Sequence, residues 1–287
     1  MSAPNDKRSL PYGGSFAIMD SETLTSLPNL LQVEPDTFCK KYLKWIQSTQ
    51  INTIKGLEKF PYAVYSNATT ETFDKFYMKN NKRRFRCFRG EYVYHQIAWR
   101  TSWPDWKFIE DCPLAANDAV VISLPFSDTG NEHTEMRSVL DTCSSLGIPV
   151  LIDCAYFGVC SNIDFDFTHD CITDIAFSLS KTFPLAYARI GMRLTKVDND
   201  DSLLMLHKIG YTNRIGAALG MELIEKFSPD YIVNKYLQQQ INLCNTLGIA
   251  PSNTVLFGID TSNKYPEYNR GGETNRLGLY KHYEQDC

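Results

Sequence analysis

The chain has 287 residues, 43% of them hydrophobic and 22% charged, with a formal net charge of −4. This suits a globular chain of one large domain, or one large and one small, with a sizeable core. The charge balance offers no footprint for nucleic acid, no apolar run is long enough to span a membrane, and Met1 to Leu10 lacks the apolar core of a signal peptide.

Nine cysteines, scattered without C-x-x-C spacing, argue against a disulfide framework and against a metal site. Those in apolar runs, such as Cys154 and Cys171, read as small core residues of a reduced, cytoplasmic protein. The densest basic run, Lys82 to Arg86, reads as a solvated loop or helix end.

In chain order, Tyr62–Ser66 reads as a buried strand and Thr70 to Lys79 as the helix after it. Ala119–Leu124 is a second strand. Met136, Val139, Leu140, Cys143 and Leu146 recur at helical spacing, and Gly147 stops that helix. Ile148–Cys154, Asp174–Ser180 and Arg189–Leu194 are three more strands. A long helical pattern from Ser202 to Phe227 is broken by Pro229. Apolar strands alternating with helices predict an α/β fold, a mostly parallel sheet flanked by helices. Residues 45–227 form its large domain. Residues 1–44 and 228–287, with weaker patterns, are left as a reduced small domain and N-terminal arm.

In such sheets ligands bind at the carboxyl ends of the strands, and four strand ends hold the candidate residues. Ser66 to Glu71 places small and hydroxyl residues at a helix N-terminus, where free amides and the helix dipole favour an anion such as phosphate. Asp153 ends an apolar strand, where a carboxylate is costly unless paired; a protonated ring nitrogen is one partner, and capping of the next loop is the alternative. Lys181 follows the strand of Ile175 to Ser178, and an amine in a crevice loses its proton more easily and can form a Schiff base. Arg189, with Ser178, can complete a phosphate clamp.

The run Ser178-Leu-Ser-Lys-Thr-Phe-Pro-Leu-Ala-Tyr-Ala-Arg-Ile-Gly191 resembles the Schiff-base segment of class I/II aminotransferases, enzymes of the pyridoxal-5′-phosphate (PLP) fold type I. Asp153-Cys-Ala-Tyr156 is similar to their D-x-A-Y element, and Asn67-Ala-Thr-Thr-Glu71 to their phosphate loop. The resemblance implies PLP bound to Lys181 as a Schiff base, with Lys181 later moving the proton at the substrate α-carbon. It implies Asp153 on the pyridine nitrogen and Tyr156 on the phenolic oxygen. Ala68, Thr69, Ser178 and Arg189 would hold the phosphate. Tyr92 would lie over the ring, with Tyr94 and His95 as rivals for that place. Arg276 would grip the substrate carboxylate, with Arg270 as its competitor.

Two features depart from the family. Its N-P-T-G element stands here as Ser127-Asp-Thr-Gly130, so Ser127 replaces the asparagine that normally reaches the phenolic oxygen. The chain beyond Lys181 is also short. The resemblance implies transamination between an amino acid and a keto acid, in a homodimer to which Leu10–Gly14 contributes. Another PLP reaction on the same scaffold (lyase, decarboxylase or oxidase) and a non-catalytic module remain the alternatives.

Overall fold

The apolar strand runs sit on a shared sheet because each carries two buried faces. The computed structural model describes residues 20–22, 33–96, 105–198 and 201–283, and Leu10–Gly14 lies outside them. Residues 32–287 cluster as one unit; in the preceding unit only 20–22 are described, with Ser21 and Glu22 helical.

The described elements, in chain order, begin with α1 (Pro35–Gln47), β1 (Thr53–Lys55), β2 (Tyr62–Ser66), α2 (Ala68–Lys79), β3 (Arg84–Cys87) and β4 (Trp106–Phe108). Next come β5 (Asp118–Ser123), α3 (Met136–Leu146), β6 (Val150–Cys154), β7 (Asp164–Asp166), β8 (Ile172–Ser178) and β9 (Gly191–Thr195). Three helices, α4 (Ser202–Lys208), α5 (Arg214–Lys226) and α6 (Tyr231–Leu247), precede β10 (Ala250–Pro251), β11 (Phe257–Asp260) and β12 (Asn275–Gly278).

Seven strands pair in the order β2-β9-β8-β6-β5-β3-β4. The pairs from β8 to β4 are parallel, and β9 alone runs against its neighbours β2 and β8. The mostly parallel α/β sheet predicted from the alternation is therefore present. Side chains alternate across it, as the pleat requires. Val120, Ile122, Val150 and Ile152 join the core formed with α1, α3 and α5, while Ala119, Val121 and Leu151 face Phe73, Phe76 and Tyr77 of α2. Each such large apolar side chain stabilises by roughly 1.5–3 kcal/mol when fully buried. A three-stranded antiparallel sheet, β10-β11-β12, follows α6. Among the described residues, no helix is long and apolar enough to cross a membrane.

Three sequence expectations change. The single helix expected over Ser202 to Phe227 is two, because Gly210 takes φ 74° and Asn213 caps α5 by accepting from the Gly216 amide at 2.8 Å. The strand expected through Ser180 ends at Ser178, so a turn lies between it and Lys181. The basic run read as solvated overlaps β3 from Arg84 to Arg86, and Arg86 is fully buried.

Arg86 is tolerated there because its donors are taken up. Nη1 meets Asp118 Oδ2 at 2.7 Å, and further N–H groups reach the carbonyls of Lys107, Phe108 and Pro113. Asp118, also buried, accepts from Arg84 Nε at 2.6 Å and from the Ala115 amide at 2.9 Å. Removing one partner strands a buried charge, which costs roughly 3–5 kcal/mol. Asp118→Asn, nearly equal in volume, is expected to lower stability by about 3 kcal/mol, measured as an earlier urea midpoint at unchanged slope.

Candidate active site

Nearly all the sequence candidates meet at the carboxyl edge of the large sheet. A cleft of about 150 Å³ is lined by Ala68, Thr69, Tyr92, Ser127, Asp153, Tyr156, Ser178, Lys181 and Arg189, together with Thr70, Ser123, Ala155, Ser180 and Ala186. The elements contributing to it lie far apart in sequence, and the parallel register of β5, β6 and β8 aligns their ends.

One end of the cleft is built for an anion. Ala68 opens α2 at φ 61°, and Arg189, two residues before β9, takes φ 55°. Side chains other than glycine rarely hold such angles, and they cluster where a site imposes them. Glu71 accepts from the Asn67 amide at 2.7 Å, securing the start of the helix. Arg189 Nη2 donates to Thr70 Oγ1 at 2.9 Å, which aims the guanidinium at the helix N-terminus. Ser178 Oγ lies 2.9 Å from Ser180 Oγ, so two hydroxyls face the same point. Gly191 makes the approach feasible, since a Cβ there would lie 2.7 Å from the Phe177 carbonyl oxygen and 2.8 Å from Ala68 Cα.

The floor holds Asp153. It is 4% exposed at the end of β6, and its Oδ1 accepts from the Ala155 amide at 3.0 Å. His95 approaches from the opposite side, with Nε2 3.7 Å from Asp153 Oδ2, and its Nδ1 is hydrogen-bonded to the Tyr77 hydroxyl. His95 was a rival for the ring-covering place. It is instead fully buried beside the carboxylate, and Tyr92 lines the cleft. Tyr94 stacks at 6.2 Å on Tyr92 and donates to Asp74 at 2.6 Å, away from the lining.

Lys181 stands in the turn after β8. Partial burial lowers its pKa, the nearby Arg276 guanidinium lowers it further, and Asp153 opposes both. Its amine therefore sheds a proton more readily than a surface lysine. Tyr156 packs edge-on against Phe257 at 5.3 Å; burial raises its phenol pKa while Arg276 and Arg270 pull it down. Ser127 lines the cleft but does not act alone. Its carbonyl accepts from Arg276 and, at 3.0 Å, from Arg270, whose Nη1 also lies 3.3 Å from Ser127 Oγ.

Sequence reasoning missed Ser123, whose amide and hydroxyl both donate to the fully buried Glu91. Its position at the end of an apolar strand, like that of Asp153, was the available signal. The donor set fits PLP at each of its polar points. Helix amides, hydroxyls and Arg189 suit a phosphate, Asp153 a ring nitrogen, Tyr156 a phenolic oxygen and Lys181 an aldehyde.

No family model matches the sequence, and no curated protein matches it. Solved structures do. A PLP-bound C-S lyase from Staphylococcus hominis superposes with a TM-score of 0.66 at 13% identity, covering 86% of this chain and 71% of that one. L-threonine-O-3-phosphate decarboxylase from Porphyromonas gingivalis gives 0.61 at 11% identity, covering 90% and 89%. Histidinol-phosphate aminotransferase from Clostridium acetobutylicum gives 0.56 at 14% identity, covering 86% and 85%. With its large sheet, single reversed strand and flanking helices, the chain has the fold of the type I PLP-dependent enzymes.

Proposed function

We propose that the chain is a PLP-dependent aminotransferase that moves an amino group between an amino acid and a keto acid, with Lys181 as the Schiff-base residue. The observation that carries this reading is the convergence of Lys181, Asp153, Tyr156 and Arg189 on one cleft from the ends of β6, β8 and β9. Bound PLP supplies an electron sink for the charge left on the substrate α-carbon when its proton departs.

The chain's residues perform the rest. Arg189, Ser178, Thr69 and the amides after Ala68 would hold the phosphate. Asp153, buried and carboxylate-bearing, would keep a ring nitrogen protonated. Tyr92 would lie over the ring and Tyr156 would donate to its phenolic oxygen; Ala155 lines the same cleft. Arg276 orients the substrate carboxylate. With the cofactor bound, Lys181, its proton affinity already lowered, would take the proton from the substrate α-carbon and return it to the product. The favoured setting is a homodimer in the cytoplasm. A monomer by light scattering that keeps full activity would refute the dimer.

Elimination at the substrate side chain is the second reading, favoured by the likeness to the C-S lyase. Both reactions begin with the same α-proton. A donor-dependent conversion of a keto acid to a new amino acid supports transfer, and release of ammonia with a keto acid from a single substrate supports elimination.

The purified protein is expected to take up PLP, and borohydride is expected to fix the pyridoxyl group on Lys181, read by peptide mass. Attachment elsewhere would sink the assignment. Lys181→Ala should still bind PLP, without a covalent bond, and lose turnover. Asp153→Asn removes the charge that holds the ring nitrogen protonated. An opposite charge at this range is worth about 1–3 pKa units, so turnover should fall on the order of 10- to 1,000-fold with little change in Tm. Near-unchanged turnover in that variant would remove Asp153 from the mechanism.

A further inference from the structure

Glu91 is a second carboxyl group buried beneath the cleft, and the roles assigned above make no use of it. It is fully buried, and among the described residues its hydrogen bonds come from no lysine or arginine. Three other donors answer it. Oε1 accepts from the Ser123 amide at 2.7 Å, and Oε2 accepts from the Tyr92 amide at 2.8 Å and from the Ser123 hydroxyl at 2.5 Å. Burial raises its pKa, while His95 and these three bonds pull it down. A backbone amide can only donate, so both carboxyl oxygens serve as acceptors. The hydroxyl contact has the length of a charge-assisted O–H···O⁻ bond. These are the contacts of a carboxylate, and the one hydroxyl proton of Ser123 is committed to it.

The place of Ser123 gives that proton a consequence. Ser123 ends β5 and stands in parallel register with Asp153 of β6, so the two side chains leave the sheet on the same face. Both line the cleft. With its proton turned to Glu91, the Ser123 oxygen has only lone pairs left for a ligand in the cleft. Beside it, Asp153 Oδ1 accepts from the Ala155 amide, and Oδ2 lies 3.7 Å from His95 Nε2. The floor at this point is therefore made of acceptors. It suits an N–H donor and leaves an acceptor nitrogen unanswered. The other titratable groups around it are His95, with Tyr77 of α2 on its far nitrogen, and Lys181, Tyr92 and Tyr156 along the cleft.

We propose that Ser123 is a cofactor-binding residue and Glu91 the positioning residue behind it: by holding the Ser123 proton away from the cleft, Glu91 makes Ser123 a second acceptor, beside Asp153, for the protonated ring nitrogen of PLP. This rests on the proposed pairing of Asp153 with that nitrogen. Glu91→Gln is the informative change behind the floor. The amide is neutral and can itself donate, so the Ser123 hydroxyl either loses its charge-assisted bond or reverses toward the cleft. The Ser123 oxygen becomes a poorer acceptor in both cases.

The test is calorimetric titration of the full chain, cleared of cofactor, with two ligands that cannot form a Schiff base. One is 4′-deoxypyridoxine 5′-phosphate, and the other is its analogue with a C–H in place of the ring nitrogen. The readout is the ratio of their affinities, which a purely structural role leaves unchanged because it weakens both ligands in proportion. The wild-type protein is expected to favour the nitrogen ligand by on the order of 100-fold, and Ser123→Ala to lower that ratio roughly tenfold. Glu91→Gln should lower it at least about threefold. Made in the Ser123→Ala protein, the same change should cause less than half of that fall on a logarithmic scale, because its route is gone. A fall of half or more there would mean that Glu91 acts by charge alone, and would overturn the inference. So would a ratio that Ser123→Ala leaves unchanged. A ratio that Ser123→Ala raises would show the reverse proton arrangement, with Glu91 donating to Ser123, and would overturn it too. If Glu91→Gln does not fold, Ser123→Ala decides alone. Failure of the wild-type protein to bind either ligand, or to tell them apart, overturns the proposed function, whereas discrimination that does not depend on Ser123 overturns this inference only.

Discussion

A carboxylate buried at the end of a central strand is the constraint on which the site depends. Asp153 sits between parallel neighbours, almost out of reach of water, with one amide on Oδ1 and a buried histidine 3.7 Å from Oδ2. Holding a carboxyl in such a place costs several kcal/mol unless something charged or hydrogen-bonded answers it. The surroundings are arranged accordingly. The Tyr77 hydroxyl and the Phe73 ring, 4.5 Å from the imidazole, fix His95, and the cleft leaves the outer side of Asp153 accessible to a ligand cation. The location is unfavourable for an empty fold and favourable for a protonated ring nitrogen.

The anion end is the complement of that arrangement. Its positive character comes from the first turn of α2 and from Arg189, and both depend on backbone angles that cost energy by themselves. The close approach of β9 to that turn, possible because residue 191 is glycine, brings the two together. A cofactor with a phosphate at one end and a basic nitrogen at the other would relieve both unfavourable features at once. This coupling explains why the strained angles and the buried carboxylate occur on the same sheet edge.

The scaffold does not by itself select the reaction. Structures sharing this fold include a lyase, a decarboxylase and an aminotransferase. Beside the cleft, the C-terminal segment around β12 packs on the Ser127-Asp128 turn. Ser127, which replaces the family's asparagine, uses its carbonyl and hydroxyl to seat Arg270, and Arg276 joins it on the carbonyl. The charges of both arginines bear on the Tyr156 phenol.

The sequence by itself determined the strand runs of the central sheet, the helix after the phosphate loop and the local order Ser178, Lys181, Arg189. Continuous apolar stretches and residue spacings of a few positions are recorded directly in the chain. It also singled out nine of the fourteen residues that line the cleft. Only the tertiary structure decided the burial of Arg86 in a run that reads as solvated, the partnership of His95 with Asp153 rather than with the ring face, and the meeting of Arg270 and Arg276 on Ser127. Each of these is a contact between segments 20 to 150 residues apart. The energy of such a contact depends on sheet register and on which polar groups are left to answer a buried charge. Neither quantity is carried by local periodicity, and so a lone basic or histidine residue reads the same in sequence whether it ends in water or in the core.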